Sequence, residues 1–159
     1  MDYRGYGKSG GKIFSEKQFV DDAQLAYDYL KGKYTEEKII VSGTSMGTGL
    51  ATQIAAKNNP KQLILNAPYS SMKKVIREKV KIVPGFIIKY SLNTKKHIQE
   101  VNCPITIFHG NQDAVIPFNA SLRLKEFLKP TDQIIVLPNA GHNGMNSNPD
   151  YLKTLAILL

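Results

Sequence analysis

The apolar positions switch between two periods along the chain, and each switch marks an element. Phe19, Val20, Ala23, Ala26, Tyr27 and Leu30 recur three and four residues apart, as one face of a helix does. Ser15, with Gln18 three residues on, makes a capping box for that helix, and Gly32 stands where it ends. Ile39, Ile40 and Val41 form a β-branched run into Ser42-Gly43, which predicts a strand. Leu50, Ala51, Ile54 and Ala55 give the next helical stripe, and Asn58-Asn59-Pro60 stops it. Residues 63–65 predict a second strand. A helix is expected over 72–80, broken by Pro84-Gly85 before residues 86–90. Residues 105–108 predict a third strand, 118–128 a helix and 133–137 a fourth strand. Asn148 and Pro149 have the types of a cap and first position for a last helix running to Leu159.

Short apolar strands that alternate with helices predict an α/β fold, a parallel sheet of about four strands flanked by helices. The chain has 159 residues, the size of one ordinary domain, and no repeat or linker divides it. Its 42% apolar and 21% charged residues fit a globular protein. No apolar run approaches the roughly 20 residues of a membrane span. The polar, glycine-rich start has no apolar signal region. Both readings assign this chain to the cytoplasm; a longer protein's amino-terminal segment would set its own address.

The formal charge of +8 comes from 21 basic and 13 acidic residues. Scattered lysines and only three arginines make a solvated basic surface, so no nucleic-acid partner is expected. The single cysteine, Cys103, beside Pro104 at a strand entrance, is expected to be buried and unreactive. Gly5-Tyr6-Gly7-Lys8-Ser9-Gly10 matches the dinucleotide fingerprint in letters but lacks the strand that must precede it. His97 reads as a surface residue and His109 as a support for the turn before Asp113. No histidine pair has metal-ligand spacing, and neither metal nor cofactor is expected.

Gly43-Thr44-Ser45-Met46-Gly47 matches G-x-S-x-G between a predicted strand and a predicted helix. A sharp turn there exposes a serine hydroxyl at the carboxyl end of the sheet, and the flanking glycines keep the turn free of side-chain clashes. The next helix points free N–H groups toward the same place. Taken alone, Ser45 also fits an ordinary turn. A nucleophilic serine needs a base, and the base an orienting acid. Asp113 follows the third predicted strand and His142 the fourth, so all three lie at carboxyl strand ends, in the order Ser, Asp, His. Singly, Asp113 also reads as a turn cap and His142 as a loop residue. Together they are the candidate catalytic residues.

With these residues in view, the chain resembles the carboxyl-terminal part of an α/β-hydrolase, a serine hydrolase of the single-domain, short-lid type. Asp2-Tyr3-Arg4-Gly5-Tyr6-Gly7-Lys8-Ser9 resembles the segment after the fourth strand of that fold. Gly43 to Gly47 resembles the nucleophile elbow, and Asn66-Ala67-Pro68-Tyr69 the loop after the sixth strand. His109-Gly110 with Asp113 and Ile116-Pro117 resembles the acid loop, and Gly141-His142 the histidine loop. The resemblance implies a hydrolase of ester, thioester or amide bonds, acting through an acyl-enzyme on Ser45. His142 would serve as base, Asp113 as its orienter and the Met46 N–H as an oxyanion donor. A small-molecule or acylated substrate is the implied partner. Residues 68–98 would form the lid. Tyr69, Met72, Phe86 and Ile87 are candidates for an apolar acyl pocket, or else pack as core.

The resemblance carries a departure. The superfamily places its first strands, and the loop after the third, before the Asp-Tyr-Arg-Gly segment, which begins here at residue 2. The expectation is a partial, amino-terminally truncated α/β-hydrolase domain over residues 1–159. Its second oxyanion donor would be missing, at a cost of about 100- to 1000-fold in turnover. The edge of the strand at 39–42 would lie open and invite self-association. These losses motivate a second reading, a catalytically impaired fragment acting as an interaction or assembly module.

Overall fold

The computed structural model describes residues 2–79 and 90–159. Helix α1 spans Glu16–Lys31. Ser15 Oγ accepts from the Gln18 N–H (3.1 Å), and the Gln18 side chain accepts from the Phe14 N–H (2.9 Å). The reciprocal bond thus lands one residue before the cap. Gly32 closes the helix at φ −68°, a conformation open to any residue.

Four strands succeed it, β1 (Ile40–Thr44), β2 (Gln62–Asn66), β3 (Ile105–Gly110) and β4 (Gln133–Leu137), all parallel and in the order β1-β2-β3-β4. Val41 pairs with Leu63, Leu63 with Ile105, and Ile107 with Ile134. The period-two alternation sorts the strands' side chains onto two faces. Leu63, Leu65, Ile105 and Ile107 pack with Ala51 and Ala55 of helix α2 (Gly47–Lys57). Ile64, Phe108 and Leu137 pack on the opposite face with Tyr151 of the last helix, which spans Pro149–Leu158. Helix α1 joins α2 through Phe19, Val20 and Tyr27 against Leu50 and Ile54. Every residue of β2 and β3 is buried, so the expectation of strands covered on both faces holds in the centre of the sheet. The outer strands depart from it. Ser42 and Thr44 of β1 and Val136 of β4 are exposed. A groove of about 310 Å³ runs between β1, α1 and α2.

The segment between β2 and β3, where the lid is expected, carries helix α3 (Met72–Lys79) and helix α4 (Thr94–Ile98). Its expected break at Pro84-Gly85, and the pocket candidates Phe86 and Ile87, lie outside the described residues. The Glu16 carboxylate holds the return of the chain by accepting from the N–H groups of Ser91 (2.7 Å) and Leu92 (3.2 Å).

The helix expected over 118–128 is broken. Helix α5 covers only Asn119–Leu122, and a 3₁₀ turn spans Lys125–Phe127. The Leu124 N–H donates to Ser121 O and the Phe127 N–H to Leu124 O, both bonds one residue shorter than in an α-helix. Ala120 belongs to the apolar cluster around α1, whereas Leu124 belongs to the cluster between the sheet and α2. The tighter winding lets one short segment serve both, and packing overrides periodicity. Cys103 also departs from expectation, being half-buried rather than buried; what burial it has raises its thiol pKa. The last helix, α6 (Pro149–Leu158), starts as its sequence implies, with Asn148 Oδ1 accepting from the N–H groups of Asp150 and Tyr151. Among the described residues, no helix is long and apolar enough to cross a membrane.

Candidate active site

Because all four strands are parallel, their carboxyl ends share one edge, and the backbone ladder continues past those ends. The Ser45 N–H donates to Asn66 O (2.8 Å), and the Ala67 N–H to Phe108 O (2.8 Å). The Asn111 N–H donates to Leu137 O (3.2 Å), and the Gln112 N–H to Ala140 O (3.0 Å). Each loop that carries a candidate side chain is thus tied to the neighbouring strand or loop.

Ser45 sits between β1 and α2 at φ 52°, a left-handed conformation that costs a non-glycine residue about 1–3 kcal/mol. Bonds from Thr48 and Tyr69 hold the turn. The Thr48 N–H and Thr48 Oγ1–H both donate to Ser45 O, at 3.0 and 2.7 Å. The Tyr69 hydroxyl, on a fully buried residue, donates to Met46 O (2.9 Å). Gly43 is required by space. A Cβ there would stand 2.6 Å from Gly47 O and 2.7 Å from Ala51 Cβ. At Gly47 a Cβ would meet only the Tyr3 hydroxyl, at 3.1 Å. The crowding that the sequence motif suggests at both flanking glycines therefore belongs chiefly to the first.

The three candidate residues meet. His142 Nε2 lies 3.0 Å from Ser45 Oγ, and His142 Nδ1 lies 2.7 Å from Asp113 Oδ2. The Asp113 side chain is fully buried, and its Oδ1 accepts from the N–H groups of Val115 (2.8 Å) and Ile116 (2.7 Å). An ionised carboxylate only accepts, so His142 Nδ1 carries the proton and Nε2 is left to accept from the serine. The histidine loop is seated by a close approach at Gly110, where a Cβ would collide with the Ala140 carbonyl.

His109 lies behind the acid, fully buried. Its Nε2 is 2.8 Å from Ile116 O and 3.4 Å from Asp113 Oδ2, and its Nδ1 is 2.5 Å from Ser121 Oγ. Burial lowers the imidazole pKa, more than the Ile116 carbonyl and the Asp113 charge raise it. The ring is therefore a neutral donor from Nε2, and Nδ1 accepts from Ser121. In the unfolded chain such a ring takes up a proton as pH falls through about 6.5, whereas the folded chain resists until lower pH. The unfolded state then binds more protons, so this ring contributes stability at pH 7 that is lost as pH falls below about 6.5. Between pH 7 and 5 the melting temperature of His109→Gln should fall less steeply than that of the parent. Equal slopes would remove this account of the ring.

The sequence marks His109 as a turn support and singles out neither Glu16 nor Tyr3. Tyr3 stacks edge-on against Phe19 with its hydroxyl beside Gly47. Arg4 makes a two-pronged bond to Asp22 (2.8 and 2.6 Å), which ties the same segment to α1. Of the pocket candidates, Tyr69 is packed with Leu50, Ile54 and Leu92, and Met72 is half-buried against that cluster. His97 is half-buried and bonds Glu100 (3.0 Å). Among the described residues, no group of three His, Cys, Asp or Glu could hold a metal ion.

Comparison with known proteins gives a consistent picture. A family model described as "Serine aminopeptidase, S33" matches residues 1–91. The α/β hydrolase domain-containing protein aho-3 of Caenorhabditis elegans is 31% identical over 159 residues, covering 97% of this chain and 46% of that protein. A putative α/β hydrolase of Acanthamoeba polyphaga mimivirus is 34% identical over 146 residues, 89% of this chain and 54% of its own length. The human α/β hydrolase domain-containing protein 17B is 31% identical over 156 residues, 97% of this chain and 53% of its own length. The chain spans about half the length of these curated relatives. Among solved structures, the ferulic acid complex of Est1E from Butyrivibrio proteoclasticus aligns with a TM-score of 0.78 at 19% identity, covering 99% of this chain and 75% of that one. The esterase EaEST from Exiguobacterium antarcticum aligns at 0.71 and 17% identity, covering 99% and 79%. At such identities the likeness is one of fold.

Proposed function

The chain belongs to the α/β-hydrolase superfamily, in the family described as serine aminopeptidase S33, and from that premise we propose that it is a serine hydrolase of ester, thioester or amide bonds. The observation that carries the reading is the unbroken relay from Ser45 Oγ through His142 to Asp113, at 3.0 and 2.7 Å. Ser45 Oγ attacks the acyl carbon while His142 Nε2 takes its proton. The Met46 N–H, at the amino end of α2, donates to the oxygen that becomes negative. His142 then gives the proton to the leaving group, and the acyl group rests on Ser45. In the second half His142 takes a proton from water, which attacks the acyl carbon, and returns it to Ser45 Oγ. Asp113 holds the imidazole in the required tautomer and offsets its charge when it is protonated.

Structural neighbours named as esterases make a small activated ester the natural first substrate. Purified protein should release p-nitrophenol from p-nitrophenyl acetate with saturation kinetics, and an acid quench should retain an acetyl group on Ser45. Release without any acyl-protein, at the same rate in Ser45→Ala, would remove the reading.

A further inference from the structure

The basic charge of the chain is not spread evenly. Helix α3 turns Met72 and Val75 toward the core cluster around α1, which leaves Lys73, Lys74 and Arg77 on its outer side. Arg77 stands four residues from Lys73 and three from Lys74, so the three cations share one stripe and repel one another. They line a cleft of about 650 Å³ together with Ser70, Ser71, Ser91, Asn93 and Lys95, and no carboxylate is among its described lining residues.

Some cations elsewhere on the surface are paired, as Arg4 is with Asp22, Lys17 with Asp21 and Lys129 with Asp132. Lys95 has Glu126 at 3.9 Å and lies over the Phe127 ring, so its charge is partly answered. Lys73, Lys74 and Arg77 have no carboxylate partner among the described residues, and the hydroxyls of Ser70, Ser71 and Ser91 have no hydrogen-bond partner there. Asn93 Oδ1 is taken by the Lys96 N–H, which leaves its amide N–H₂ as a further donor. The floor is firm, because the Met72 N–H donates to Ser91 O and the Lys95 N–H to Ser70 O, both at 3.0 Å.

A cleft whose described lining is cations, hydroxyls and an amide donor suits an anion with several acceptor oxygens and more than one charge. We propose that this cleft binds a phosphate group, borne either by a soluble phosphate ester or by a lipid headgroup. A carboxylate has one charge and a single plane of acceptors, and fits the donor set less well. The site borders the chain that braces the serine turn, since Ser70 and Ser71 follow Tyr69 directly and Leu92 lies against Gly49. A phosphate held here would anchor one end of a ligand beside the turn.

The test is a binding measurement with no turnover, so its outcome is independent of the serine chemistry. Pyrophosphate serves as the soluble probe, and phosphatidylglycerol vesicles, with phosphatidylcholine vesicles as reference, as the lipid probe. Ionic strength is held near 0.15 M, where exposed charges are screened beyond about 8 Å. The cleft variant is Lys73→Gln with Lys74→Gln and Arg77→Gln. The control is Lys31→Gln with Lys33→Gln and Lys38→Gln, which removes equal charge from exposed positions. The proposal predicts saturable binding that weakens about tenfold or more in the cleft variant and less than about twofold in the control. Such a loss with pyrophosphate identifies a soluble phosphate as sufficient. Such a loss with phosphatidylglycerol vesicles alone identifies the lipid phosphate. No binding in either arm, or equal loss in both variants, overturns the proposal.

Discussion

Replacing Ser45 by alanine should lower kcat on p-nitrophenyl acetate by about four to six orders of magnitude, with KM changed by less than about tenfold. The hydroxyl is the atom that bonds to the acyl carbon, so its loss leaves only the positioning of substrate and the N–H donor at Met46. His142→Ala should cost about as much, and the double variant no more than either. Groups that act in one relay do not add, because the first deletion already removes the step the others serve. Asp113→Asn tests the relay differently. An asparagine oxygen can still accept from Val115 and Ile116, but the amide nitrogen then faces His142 Nδ1 with hydrogens of its own. The imidazole is driven to carry its proton on Nε2, where it cannot receive the serine proton, and kcat should fall about 10⁴-fold while stability changes little. Independent, additive losses would show that the three side chains do not form one machine.

The second large effect is on stability. Gly43→Ala should destabilise the fold by about 3 kcal/mol or more, because the new Cβ collides with the backbone of α2 at Gly47 and with Ala51. For a chain of this size that is a loss of about 6–12 °C in melting temperature. Any relief requires α2 to move away from β1, and the Ser45–His142 distance moves with it, so turnover should fall as well. Gly47→Ala is the matched control. Its Cβ meets only the terminal oxygen of Tyr3, which can shift, and alanine is the better helix former by about 0.5–1 kcal/mol. Its melting temperature should stay within about 2 °C of the parent. Equal losses at the two glycines would contradict this account of the turn.

The elements of the sheet were legible because β-branched and leucine runs have few other uses at that length. Residues 133–137 match β4 residue for residue. The edge carrying Ser45, Asp113 and His142 was legible for a related reason. In a parallel sheet every loop after a strand lies on one edge, so residue order alone brings the three near one another. What the sequence hid was set by contacts between distant segments. The break after Leu122 depends on two apolar clusters that Ala120 and Leu124 enter separately. The neutral state of His109 depends on burial beneath Ser121 and Ile116. Glu16 reads as an ordinary acid in the first turn of a helix, and only the return of the chain at Ser91 and Leu92 gives it its bonds. The unequal demand at Gly43 and Gly47 likewise comes from how closely α2 lies on β1.

The most direct measurement is intact mass after treatment with a fluorophosphonate probe, on the parent chain and on Ser45→Ala, with folding of both checked by circular dichroism. The account predicts one adduct on the parent, located at Ser45, and none on the variant. A folded parent that takes up no adduct would contradict it, and would show the three side chains placed together without a working nucleophile.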